Sequence, residues 1–143
     1  MDMTTVGDLK IGKIEKIERS EEEWKRLLSP ERFLILRKEG TEPAFQNKYW
    51  GNHQPGTYVC GGCGLPLFSS EDKFESGTGW PSFTRPISEG VVETKPDDRF
   101  GMMRTSVECA RCGGHLGHVF DDGPPPTGMR YCMNSGSLDF VPK

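Results

Sequence analysis

The chain has 143 residues, only 34% of them hydrophobic, with 18 Gly and 11 Pro; that suffices for one domain with a modest core and is short for two. A formal charge of −3 supplies no basic footprint for nucleic acid. The longest apolar run, Phe33-Leu34-Ile35-Leu36, is bounded by charges and falls far short of the roughly 20 residues of a membrane span.

The first residues, Met1-Asp2-Met3-Thr4, lack the basic-then-apolar order of a secretory leader, so a cytoplasmic protein is expected. Residues 1–19 mix Lys, Glu and Ile without an amphipathic period and read as an arm of unassigned role. Within it the alternation Leu9 to Ile14 allows an edge strand. The domain proper is expected over 20–143. Ser20-Glu21-Glu22-Glu23 has the form of a capping box ahead of Trp24, Leu27 and Leu28. Ser29-Pro30 repeats the start signal, and Phe33, Leu34 and Leu36 supply an apolar stripe that Gly40, with Pro43 beyond, should end. From Thr57 onward only short β-type runs fit: Thr57–Val59, Leu67–Phe68, Val91–Thr94, Met102–Cys109, His118–Phe120, Arg130–Met133 and Leu138–Val141. The pattern predicts a mainly antiparallel β protein with an N-terminal helical pair.

The cysteines divide four to one. Cys60-Gly61-Gly62-Cys63-Gly64 and Cys109-Ala110-Arg111-Cys112-Gly113 are two C-x-x-C-G knuckles, and the fifth cysteine is Cys132. Four thiolates fill a closed tetrahedral zinc site, although the same ligation suits iron, and two redox pairs are the alternative. A glycine after each second cysteine tolerates positive φ, which turns backbone N–H groups toward the sulfurs. The knuckles lie far apart in sequence, so a metal there would clip two distant segments together.

Cys132 remains for chemistry. In an extended strand Arg130, Cys132 and Asn134 share a face. The cation favours thiolate and should lower the thiol pKa, while Asn134 adds a neutral donor. A buried structural cysteine is the plain alternative. His115-Leu116-Gly117-His118 holds two of the three histidines. They would either complete a Cys/His metal site or supply protons to a thiol nucleophile. A regular strand sends positions three apart to opposite faces, and Gly117 offers a place for a bulge that would bring both rings to one side. In Ser76-Gly77-Thr78-Gly79-Trp80 a mobile glycine turn precedes an indole that is either core or the wall of a pocket.

Together these segments resemble the B-type methionine sulfoxide reductases, the peptide-methionine (R)-S-oxide reductases. The matching blocks are Tyr58-Val59-Cys60-x-x-Cys63-Gly64, Gly79-Trp80-Pro81-Ser82-Phe83, Arg104-Thr105, Gly114-His115-Leu116-Gly117-His118-Val119-Phe120, Asp122-Gly123-Pro124 and Arg130-Tyr131-Cys132-x-Asn134-Ser135. The resemblance implies two antiparallel sheets clipped by one structural zinc ion on Cys60, Cys63, Cys109 and Cys112. It implies Cys132 as nucleophile and bearer of a sulfenic acid, with His115, His118, Asn134 and Arg130 around the sulfoxide oxygen and leaving groups. Trp80 would cradle the substrate methyl, and Asp122 would support the site as a substrate-binding residue. Implied partners are oxidised proteins bearing methionine-R-sulfoxide and a thioredoxin-like reductant, with the chain acting as a monomer. Many such proteins carry a resolving cysteine where this chain has Thr78, so regeneration by an external thiol is expected. The competing reading is a zinc-stabilised β domain that binds a partner protein without catalysis.

Overall fold

The computed structural model describes residues 14–98 and 103–143. Helix α1 spans Glu21–Leu27 and α2 spans Pro30–Lys38. Both halves of the capping box form: Ser20 Oγ accepts the Glu23 N–H at 3.2 Å, and the Glu23 carboxylate accepts the Ser20 N–H at 3.3 Å. Ser29 caps α2 in the same way through Arg32 N–H at 3.2 Å, with Pro30 at the first helical position. The buried stripe is narrower than the sequence suggests. Trp24, Phe33, Ile35 and Leu36 are buried, whereas Leu27 and Leu34 face solvent at 60% and 56% exposure. At 100° per residue, Phe33 and Leu36 share a face and Leu34 turns away from it. The left-handed residue ending α2 is Glu39, φ 58°, and not Gly40.

Among the described residues, nine strands follow. A three-stranded antiparallel sheet has the order β2-β1-β9, built from Pro66–Ser69, Gly56–Cys60 and Leu138–Pro142. A six-stranded sheet has the order β3-β4-β8-β7-β6-β5. Its strands are Lys73–Phe74, Ser82–Phe83, Arg130–Met133, His115–Phe120, Arg104–Cys109 and Val92–Asp97. After residue 57 the described residues contain no α-helix, only 3-10 turns such as Ser70–Asp72 and Ser135–Ser137. The antiparallel strands and helical pair are those the sequence pattern predicts, and the two-sheet arrangement is the one the family resemblance implies. Strands β3 and β4 are additional, each two residues long and too short to carry a period. The Leu9–Ile14 alternation lies almost wholly outside the described residues, as does Met102. Residues just before α1 are docked: Ile17 N–H donates to Arg111 O at 2.7 Å, and Ile14 packs on the core.

The sheets meet through an aromatic layer. Phe68 stacks on Phe83 at 4.5 Å between ring centroids, and Tyr58 meets Phe83 edge-on at 5.1 Å. Leu67, Val107, Leu116, Met133 and Leu138 close around them, all buried. Arg32 fastens α2 to the smaller sheet. Its guanidinium donates to both Asp139 carboxylate oxygens at 3.0 and 3.1 Å, and to the carbonyls of Gly61, Gly136 and Leu138. Such a fork-to-fork pair fixes direction as well as distance. Strand β8 lies between β4 and β7, so anything it presents is held on both sides.

Candidate active site

The four knuckle cysteines converge where β1 and β6 end. Their Sγ atoms all lie within 4.8 Å of one another, with Cys60 to Cys112 at 3.6 Å and Cys63 to Cys109 at 3.5 Å. Zinc–sulfur bonds of about 2.3 Å in a tetrahedron put sulfurs about 3.8 Å apart, so this donor set fits such an ion. Gly64 and Gly113 hold φ of 81° and 74°, a conformation that costs glycine nothing. Gly62 N–H donates to Cys60 Sγ at 3.3 Å. The cluster joins the two sheets, and could hold a metal ion.

Cys132 lies apart from that cluster on β8, in register with His118 of β7 and Ser82 of β4. It lines an open cleft of about 290 Å³ together with Trp80, His118, Arg130 and Asn134. Gly117 is required here by a close approach: a Cβ on it would stand 2.1 Å from the Cys132 carbonyl oxygen. The histidine rings do share a side, with centroids 5.3 Å apart. Between β6 and β7, Val107 faces Gly117 and Glu108 faces His115, so the extra residue of the bulge is Leu116, one before the glycine. His118 borders the cleft, whereas His115 lies buried behind it with Nδ1 3.2 Å from Ser106 Oγ.

The balance of forces on the thiol differs from the sequence expectation. Burial pushes the Cys132 thiol above its ordinary value; the Thr78 hydroxyl, the Arg130 charge and the Ser82 hydroxyl act in the opposite direction without reversing it. Arg130 favours thiolate, as its place on the strand suggests, but desolvation wins. Thr78 Oγ1 stands 4.0 Å from Cys132 Sγ, at the head of a hydroxyl row in which Ser76 Oγ lies 2.8 Å from both Thr78 and Ser82. The glycine turn is tied down at Gly79, whose carbonyl accepts from Phe45 N–H and Asn47 Nδ2, both at 2.8 Å.

The model of the SelR domain matches residues 28–142. The chain belongs to the SelR domain family. Three curated relatives carry the name peptide methionine sulfoxide reductase MsrB. That of Leptospira interrogans is 55% identical over 125 residues, covering 87% of this chain and 95% of the relative. Those of Thiobacillus denitrificans and Bradyrhizobium diazoefficiens are each 54% identical. The first covers 87% of this chain and 95% of that protein, the second 90% and 93%.

Within this SelR domain, Arg130 donates Nε and Nη2 to the two Asp122 carboxylate oxygens at 2.9 and 3.1 Å, and its guanidinium lies 4.3 Å from the Phe120 ring centre. Arg130 holds the Asp122 carboxyl below its ordinary range. Asp122 itself is 62% exposed on the rim, so the structure places Arg130 at the cleft and Asp122 behind Arg130. Two neighbours escaped the sequence reading. Asp97 is buried and puts Oδ2 2.9 Å from His118 Nε2 and 3.5 Å from Arg104. The candidate strand at Val91–Thr94 stops short of Asp97, and only the β5-β6-β7 pairing brings it to the histidine. Glu42, in the segment between Gly40 and Pro43, meets both Trp80 and Asn134 through its main chain.

Proposed function

We propose that this chain reduces methionine-R-sulfoxide in proteins to methionine, with Cys132 as the nucleophile. The carrying observation is one cleft in which that thiol is held in register with His118, under Trp80, in a SelR domain. The thiolate attacks the sulfoxide sulfur and pushes negative charge onto oxygen, which must gain a proton. His118 is the group placed to supply it, because it borders the cleft in register with Cys132 and its ring is held through Nε2, 2.9 Å from the Asp97 carboxylate. Oxygen passes to Cys132 as sulfenic acid, methionine leaves, and two electrons have moved from the cysteine sulfur to the substrate sulfur. His115 acts from behind, packing against the His118 ring.

Trp80 offers a wall for the substrate methyl, Asn134 a donor near the oxygen, and Arg130 a charge that favours thiolate; Asp122 orients Arg130. The R preference is carried by the family, through fixed directions for methyl, oxygen and peptide chain. The sulfenic acid returns to thiol when two external thiols form a disulfide and release water. The other four cysteines are gathered with one another, and Thr78 offers Cys132 a hydroxyl and no sulfur. The reductant is therefore external, a thioredoxin-like protein or another thiol, and in this reading the chain works as a cytoplasmic monomer. Cys60, Cys63, Cys109 and Cys112 hold a structural zinc ion, which with four protein ligands has no open position for substrate. A partner-binding domain without catalysis leaves the paired thiol and imidazole unexplained.

The test assays both epimers of a methionine sulfoxide peptide with dithiothreitol. Wild type should reduce only the R epimer, and Cys132→Ser should reduce neither while keeping metal and fold. Turnover by Cys132→Ser, or equal rates on both epimers, would overturn the reading.

A further inference from the structure

We infer that Glu42 is a positioning residue, whose carboxylate clamps the turn after Asn134 so that Trp80 and Asn134 face the substrate together. The inference rests on the reductase reading of the cleft and assigns a residue which that reading does not use. Three sets of bonds meet at this position. The Glu42 carboxylate accepts the backbone N–H groups of Ser135 and Gly136, the latter at 3.1 Å. Its own N–H donates to Asn134 Oδ1 at 3.4 Å, and its carbonyl accepts the Trp80 indole N–H at 2.9 Å. Asn134 in turn donates Nδ2 to Leu116 O at 3.4 Å and to Gly40 O at 3.5 Å.

The segment carrying Glu42 leaves α2 through a left-handed residue and reaches Pro43 without joining either sheet. Its main-chain bonds to Trp80 and Asn134 can hold those side chains only if the segment itself is fixed. The carboxylate supplies that anchor through the two backbone N–H groups that directly follow Asn134. Neither bonded oxygen touches the cleft, so Glu42 acts through its neighbours. Burial raises the Glu42 carboxyl above its ordinary value despite the bonds from Ser135 and Gly136. An acceptor kept where its charge is disfavoured fits a positional demand better than a stabilising one. Wall and donor must both be within a fraction of an ångström for the methyl and the oxygen to seat at once.

Glu42→Gln and Glu42→Asp separate length from charge: Gln turns an amide N–H toward one backbone N–H, and Asp is a methylene too short. Neither removes a main-chain bond. Both are compared with wild type and Cys132→Ser on a methionine-R-sulfoxide peptide with dithiothreitol, with kcat expressed per alkylatable Cys132 thiol. Metal content and Tm are read on the same samples. Both variants should retain metal and alkylate Cys132 at the wild-type rate, yet show a raised KM and a kcat/KM lower by about 10- to 100-fold. Wild-type kcat and KM beside an inactive Cys132→Ser would overturn the role of Glu42 and leave the reductase reading standing. So would an unchanged KM with fewer reactive thiols, which would make Glu42 a stability residue only. An active Cys132→Ser would overturn the reading and the inference with it.

Discussion

The two cysteine sites put the same atom in opposite surroundings. Each knuckle is local: a C-x-x-C-G turn brings two sulfurs together within five residues, and Gly64 and Gly113 complete it with positive φ. The fold then has only to bring two finished halves to one point, where β1 and β6 end. The cleft has no such local unit. Cys132 comes from β8, His118 from β7, Asp97 from β5, Trp80 from the turn before β4 and Glu42 from the segment after α2. Each is a bystander until the sheet sets it beside the others. Sulfur in the first site is held by other sulfurs, and in the second by what surrounds a single one.

The contrast breaks most severely at the cluster. Cys109→Ser, or removal of metal by a chelator, should abolish cooperative thermal unfolding, because in small metal-clipped folds binding energy is folding energy; circular dichroism against temperature reads it. Gly117→Ala should come next. Its Cβ has no room against the Cys132 carbonyl, so the two central strands must separate, at a cost of about 1–3 kcal/mol. A lowered Tm with metal retained is expected, together with lost reductase activity.

Asp97→Asn leaves shape intact and should lower kcat by about 10- to 100-fold, part of what a positioned general acid contributes. Steady-state kinetics on a methionine-R-sulfoxide peptide, with metal content and Tm read on the same samples, decides. The smallest effect is expected for Arg130→Ala. Removing that charge takes away one of the influences opposing burial, so the Cys132 thiol rises further and less thiolate is present at a given pH. Iodoacetamide alkylation at pH 8 should slow by roughly 2- to 10-fold. An unchanged rate would mean that the hydroxyls alone oppose burial at this thiol.

The legible parts of the site were those whose chemistry is packed into a few neighbouring residues. Ser20 and Ser29 announced their helices, Arg130–Met133 its strand, and the knuckles their cluster, because caps, alternation and C-x-x-C spacing act over one turn or less. The His115–His118 pair was half legible. Gly117 offered a place for a bulge, but the extra residue is Leu116, fixed by pairing with Val107 and Glu108. The Cys132 thiol went the other way from its strand neighbour's charge, since burial is a sum over the whole molecule. Leu27 and Leu34 read as core and lie exposed, because an apolar residue shows no direction until a helix chooses its face.

By itself, the sequence determined which atoms were available: four sulfurs in two preformed turns, one left over, two imidazoles and an indole. Covalent spacing and backbone preference act within a few residues, and there the chain speaks for itself. Tertiary structure decided that Asp97 would stand behind His118 and that Glu42 would fasten Trp80 to Asn134. Those distances depend on how the short strands pair and stack and on where the segment after α2 packs against them, and burial and carboxylate contacts follow from that arrangement.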